Sequence, residues 1–465
     1  MAGPTRNRSF LFSRKAVFPL LFVASVFPAP VHALDSVDFP QAVARAFRGN
    51  PSLAAAGFDY AAAQQDARIA RGFLLPGLVF EHRFVRTNLP AEAFALKLNE
   101  GKLAQADFQD VNNFNDPALR NDFITTLSIE QPLFAPGAYV GHRMAKTEGE
   151  AKRLELSRAK EETVYRVLAA YLDVLTAKAY LAVAERELFD SGEHLRISEA
   201  AERAGTGLSS DVLRAKVSVA AAEAGKVGAE NRLEIARRAL AMSMGETGAA
   251  PVDASGPPPE FPDPGTLEEL QAAASGRADL QAVSVRVKNA GNNEALRKTE
   301  YLPTVGLLGA YQLDAESGPL ESDNRSWKVG VGLKWNLFDG LRRESGVSKA
   351  AFERRKAEEY YRGERDRAAF QVTEAYLGIR EAGRRVEIAR AAVASAEEGV
   401  RRIRVRYENQ LGRMIDLLDA QAALRQVRAD AVKADNDLRH SRARLMYVSG
   451  TLLPWAAPAG KGNGQ

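Results

Sequence analysis

The chain has no cysteine among its 465 residues. That excludes disulfides, thiolate metal ligands, a cysteine nucleophile and lipid attachment at an N-terminal cysteine. Beyond the first 33 residues it also lacks any unbroken run of 18 apolar residues, so a membrane-embedded chain has to enter the bilayer as strands. Histidine is scarce: His32, His82, His142, His194 and His440 are scattered, with no HxxxH or HExxH spacing to hold a metal. No phosphate loop, GxSxG elbow, dinucleotide fingerprint or nucleophile–base–orienter spacing is present. The sequence therefore supplies no catalytic residue, cofactor or metal site, and energy for any transport has to come from a partner.

A positive excess is missing as well. Lys and Arg number 63 against 59 acids, a formal +4. Arg6, Arg8, Arg14 and Lys15 lie in residues 1–33, which contain no acid, so the rest of the chain carries 4 − 4 = 0. A neutral body argues against a nucleic-acid partner. Residues 1–33 read as an export signal: a basic stretch, the apolar run "AVFPLLFVASVF", then "PVHA" with small residues at −3 and −1. That run falls short of the ~20 residues of a spanning helix. The remainder, with 46% hydrophobic and 26% charged residues overall, suits a core-forming chain and rules out a polytopic helical bundle.

What is present occurs twice. "NPSLAAAGFDYAAAQQDARIARGFLLPGLVF" (50–80) aligns without a gap on "RADLQAVSVRVKNAGNNEALRKTEYLPTVGL" (277–307), and "GLSSDVLRAK" at 207 lies over "GRMIDLLDAQ" at 412. Each half reads helix, strand, loop, strand, long helix, bend, helix. The first repeat is expected over 34–246, with helices 40–72, 140–206 and 209–245 and strands 77–86 and 123–134. The second is expected over 269–450, with helices 269–299, 343–408 and 413–449 and strands 304–313 and 326–338. A Pro-rich linker (247–268) joins them and a tail (451–465) follows. Gly205, Gly207 and Gly412 mark the helix-tip bends, with Ser209 or Ser210 available to cap the helix after the first. Helices near 100 Å long have to lie along other helices. A secreted or periplasmic coiled-coil structural or adaptor protein without a barrel is one reading of them.

The strands argue for another. In "SWKVGVGLKWNLF" Trp327, Val329, Val331, Leu333 and Trp335 fall on one face, and the flanking tryptophans sit where aromatic girdles meet the two membrane interfaces. With three further alternating segments, this strand makes up two hairpins. Four strands cannot close a barrel, and lipid tolerates no open edge, so several subunits have to share one.

Together these features, with "NPSL", "LLPGL", "QPLF", "LPTVGL", "WNLFDG" and "DLLDAQ", resemble the TolC-like outer-membrane efflux family over residues 36–450. The resemblance implies a mixed α and β homotrimer of two tandem structural repeats per chain. Its twelve-stranded transmembrane β-barrel, four strands per chain, continues into a twelve-helix periplasmic α-barrel of long coiled-coil helices. It implies an outer-membrane exit duct of a Gram-negative cell, for efflux or type I secretion. Partners would be outer-membrane lipids, a periplasmic adaptor (membrane fusion) protein and an inner-membrane transporter of RND or ABC type.

Asp416 and Asp419, at i and i+3, share a helix face in the first turns after the second bend. Acids are also simply favourable there. The resemblance implies that they line the periplasmic constriction, as rings whose crowded carboxylates raise one another's pKa and favour cations. It likewise implies gate-lock contacts by Asp211, Tyr407 and Arg413. Gln410 stands where the family has glycine, and Arg413 is one residue out of register with the family's arginine.

Overall fold

The computed structural model describes residues 35–456 except 247, 249 and 410. The expected signal peptide (1–33) with His32, the end of the tail, and Gln410 lie outside the described residues.

In chain order the elements are β1 (Asp35–Val37), α1 (Phe39–Gly49), α2 (Pro51–Gly72), β2 (Gly77–Thr87), α3 (Pro90–Asn99), a 3-10 turn (Gln105–Phe108), α4 (Asn112–Asn115) and β3 (Arg120–Phe134). There follow α5 (Pro136–Arg203), α6 (Ser209–Ser243), β4 (Val252–Ala254), α7 (Leu267–Ser275) and α8 (Ala278–Thr299). The chain continues through β5 (Thr304–Ala315), β6 (Asn324–Lys334), α9 (Arg342–Glu408), α10 (Met414–Ser449) and α11 (Leu452–Ala456).

Two helices expected to be single, those that precede the hairpins, are each broken in two. The segment 40–72 splits at Asn50, which Pro51 forces into an extended conformation. The Asn50 side chain then accepts from the backbones of Ser52 (3.0 Å) and Leu53 (3.1 Å), capping α2. The segment 269–299 breaks at Gly276–Arg277, where buried Arg277 donates to Asp279 (2.7 Å), Gln371 (3.0 Å) and the Val448 carbonyl (3.2 Å). The first break passes so close to the end of α6 that a Cβ on Gly245 (φ +88°) would lie 2.1 Å from the Gly49 carbonyl oxygen.

α5 and α9, of 68 and 67 residues, each extend about 100 Å. Near the sheet the helices line up as α2, α5, α8, α9; toward the bends the order is α6, α5, α10, α9. The wall thus has one edge made by α2 and α6 and the other by α9. Where the two levels meet, β1 pairs in parallel with β4, and α11 packs alongside. Val37, Phe39, Leu168, Leu172, Leu240 and Met244 fill the core there, and Trp455 stacks on Phe261 (5.4 Å between rings). The linker is therefore partly structured, tied down by Asp253 between Lys178 (2.9 Å) and Arg237 (3.1 Å).

The sheet runs β2-β3-β5-β6, antiparallel throughout. Its register aligns Phe80, Leu127, Tyr311 and Trp327 in one row and Leu78, Ile129, Gly309 and Val329 in the next. One face is thus apolar. The other carries Glu81, Thr126, Gln312 and Ser326 in a row, then Val79, Ser128, Ala310 and Lys328. Along β6 every residue but Asn324 is exposed, and the β2 and β6 edges have no strand partner among the described residues. β6 ends at Lys334, short of the expected 338, so Trp335 lies beyond it and donates its indole N–H to the Tyr301 carbonyl (3.1 Å).

The long connection after β2, expected as a loop, is folded. Phe94, Phe108 and Phe114 cluster with ring separations of 5.3–6.4 Å. Arg120 grips buried Glu100 (2.6 Å), and Lys102 reaches Glu316 (2.9 Å) and Asp323 (2.6 Å) in the other hairpin.

Candidate functional site

Both long helices end in the same device. After α5, Gly205 takes the left-handed conformation (φ +73°), its N–H bonds to Glu202 (2.9 Å), and Thr206 N–H bonds to Ala201 (2.9 Å). This is a Schellman closure. After α9 the Leu411 N–H reaches the Arg406 carbonyl at 2.8 Å, the equivalent bond. Gly207 and Gly412 then fold back over the helix ends: a Cβ on Gly207 would lie 2.9 Å from that of Ala201, whereas one on Gly412 would meet Arg406 at 3.4 Å.

The helices that follow begin differently. Leu208 is the N-cap of α6 and makes no side-chain cap, so neither Ser209 nor Ser210 fills the capping role expected of it. At the start of α10 Arg413 holds the N-cap position and Asp416 the third helical position. The Asp416 carboxylate accepts from the Arg413 backbone N–H (3.3 Å), Nε (3.3 Å) and Nη2 (2.9 Å). This hydrogen bonding holds the Asp416 carboxyl below its ordinary range, overriding partial burial. Within one chain, then, Asp416 is paired rather than crowded by like charge.

Asp419 behaves otherwise. It is exposed and has no ion pair among the described residues. It lines a groove of about 770 Å³ between the α5/α6 and α9/α10 hairpins, with Arg214, Arg404 and Arg425; Asp416 does not. Glu187 pairs with Arg425, and Glu397 pairs with Arg428 at 2.7 Å.

Tyr407 packs beside Met414, Leu417 and Val400 in an apolar cluster that also takes Ala215 from α6. Asp211 forms no ion pair among the described residues, and Arg413 bonds to Asp416. A single chain therefore does not bring Asp211, Tyr407 and Arg413 together as a lock.

One residue missed in the sequence lies at this level. His194 of α5 is buried, its Nε2 against the Gln421 side-chain amide of α10 and its Nδ1 without a partner among the described residues. Burial, reinforced by Arg404, holds its pKa below the ordinary value. Its place on the inward face of α5 was the only signal. His82, His142 and His440 contact Thr125, the Ala67 carbonyl and Asp173 respectively.

A sheet with one apolar and one polar face, both open over its middle rows and covered only at the end beside α3, set end-on to a wall of antiparallel helices, defines a channel subunit that meets a membrane through strands. The chain belongs to the outer membrane efflux protein family, whose model matches residues 42–246 and 270–451. It is thus an outer-membrane exit duct of a Gram-negative cell, in a family of channel proteins. The outer membrane efflux protein BepC of Brucella suis is 26% identical over 318 residues, 66% of this chain and 67% of that protein. The alkaline protease secretion protein AprF of Pseudomonas aeruginosa is 22% identical over 426 residues, 88% and 83% of the two chains. Among solved structures, the outer membrane protein VceC of Vibrio cholerae superposes with a TM-score of 0.72 at 18% identity, covering 89% of this chain and 96% of that one.

Proposed function

We propose that three copies close head to tail into one duct. Their four-stranded sheets would give a twelve-stranded barrel through the outer membrane, and their helix walls a twelve-helix tunnel through the periplasm. The observation that carries this is the sheet: its middle rows leave both faces open, burial is confined to the end beside the folded connection, and both edges are unpaired among the described residues. In a bilayer such edges are satisfied only by another copy. The helix wall offers the matching surfaces. α9 exposes Phe352, Phe370, Leu377 and Ile388 along one line, and the opposite edge exposes Leu213, Val217, Ile235 and Met242 on α6. Unlike surfaces at the two edges suit a heterologous interface that closes by rotation. The two separate family matches support reading 34–246 and 269–450 as tandem repeats joined by the 247–268 linker.

In this duct Asp416 and Asp419 line the periplasmic constriction, and Asp211, Tyr407 and Arg413 belong to the contacts that hold it shut. Gly205, Gly207 and Gly412 shape the tips, and Trp327 and Trp335 sit at the membrane interfaces. A periplasmic adaptor and an inner-membrane transporter of RND or ABC type bias the tip and supply cargo and energy. The duct itself conducts passively and catalyses nothing.

Reconstitution in planar bilayers tests this. Stepwise, cation-preferring conductance is expected, from protein that leaves the membrane fraction only with detergent. Protein released into the soluble periplasm without detergent would overturn the reading.

A further inference from the structure

The sequence puts Asp416 and Asp419 on one helix face, three residues apart. The structure makes them unequal. Three donors of one residue converge on Asp416: the backbone N–H, Nε and Nη2 of Arg413, at 3.3, 3.3 and 2.9 Å. The Arg413 side chain is 79% exposed, and among the described residues its guanidinium bonds to this carboxylate. Asp419, one turn on, has no ion pair among the described residues and faces the groove between the hairpins, which Arg214, Arg404 and Arg425 also line.

The first half has no counterpart to this pair. Leu208 stands where Arg413 does, and Arg214 stands where Asp419 does. The start of the two returning helices therefore carries Asp211, Asp416 and Asp419 against Arg214 and Arg413, or −3 + 2 = −1 per chain. Pairing in place also limits what Asp416 offers a passing ion. A carboxylate whose charge is offset by a guanidinium attracts a passing cation less strongly.

We infer that Arg413 sets the charge of the constriction: it neutralises Asp416 within each chain and leaves Asp419 as the ring that selects cations. This rests on the proposal above that the two acids line the narrowest point. Around a threefold axis the fixed charge of these two rings is then −3, where unpaired carboxylates would give −6. Arg413 acts by position and charge, and lysine should substitute for it largely, though without the two-toothed geometry.

The test is the reversal potential of single channels across a salt gradient, for wild type, Arg413→Gln, Arg413→Lys, Asp416→Asn, Asp419→Asn and the double variant Arg413→Gln with Asp416→Asn. Detergent gel filtration serves as the assembly check. Expected is a rise of about threefold in the cation-over-anion permeability ratio for Arg413→Gln, since the ring charge doubles. Arg413→Lys should stay within about 1.5-fold of wild type, and Asp419→Asn should lose most of the preference. The double variant should return to within about 1.5-fold of wild type, because an equal and opposite pair has been removed. If Arg413→Gln leaves selectivity unchanged while Asp419→Asn lowers it, Arg413 is only a helix cap; the constriction then stands and this inference fails. If Asp419→Asn is silent as well, the constriction itself has been misplaced.

Discussion

Replacing Phe370 and Leu377 by serine probes the duct where its energetics are most readable. Phe370 is 68% exposed and Leu377 54% exposed in a single chain, on the outer edge of α9 and in line with Phe352 and Ile388. A phenylalanine side chain presents ~200 Å². The exposed share is then ~140 Å², which on ring closure contributes about 3 kcal/mol at ~25 cal/mol per Å². Leu377, with ~80 Å² exposed, adds about 2 kcal/mol on the same scale. Loss of about 5 kcal/mol per interface corresponds to roughly a several-thousandfold weaker association, and the closed ring contains that interface three times. Light scattering or native mass spectrometry in mild detergent is the assay. Wild type should keep one mass of three chains on dilution, whereas the double variant should dissociate at micromolar concentration with its helical circular dichroism intact. A variant that keeps the trimer mass as stubbornly as wild type would refute the assignment of the α9 stripe to the interface.

Other expectations follow from particular contacts. His194 is held neutral by burial and by Arg404, against the opposing pull of Asp190, Glu193 and Glu408. A depressed histidine pKa contributes stability that is present above its ordinary value near 6.5 and lost as pH falls through the folded value. Acidification below the ordinary histidine value should therefore progressively loosen the α5–α10 contact, seen as faster hydrogen exchange around residues 190–215, and His194→Gln should flatten that dependence; equal acid sensitivity in both proteins would exclude His194 as its source. At the other end, Glu100→Ala strips the buried partner from Arg120, which keeps Glu316 at 3.4 Å. A local loss of about 1–3 kcal/mol should appear as faster proteolysis within residues 88–119 at unchanged trimer stability, and unchanged cleavage would mean that the folded connection does not depend on this ion pair.

The sequence carried the architecture wherever local rules and periodicity suffice. Alternation in "SWKVGVGLKWNLF" marked β6, and uninterrupted Ala, Glu, Arg and Leu marked α5 and α9. The break at Asn50–Pro51 was equally legible, since a capping asparagine before a proline starts a helix; the Ala-rich continuity of the segment hid it. What was not legible depends on distant partners. The connection of α3 and α4 is pinned by Lys102 to Glu316 and Asp323, more than 200 residues away, and β1 finds β4 across a similar span through three residues each. Nothing in either local sequence announces such pairings. At the tip, the i, i+3 spacing of Arg413 and Asp416 was visible, yet the family pattern directed attention to a lock between helices. Within one chain the N-cap geometry turns Arg413 onto the acid in its own first turn, a contact that the spacing alone did not single out.

The central claim is that the open sheet edges of one chain are closed by those of the next. Because the chain has no cysteine, pairs can be introduced without background, one on β2 at positions 78–80 and one on β6 at positions 329–333. Within a chain these strands lie at opposite edges of the sheet, so a disulfide between them has to join two subunits. Oxidation in intact outer membranes should convert at least one such pair into dimers and trimers on non-reducing gels, collapsing to monomer with reductant. Monomer alone at every pair tested would contradict a barrel shared between copies.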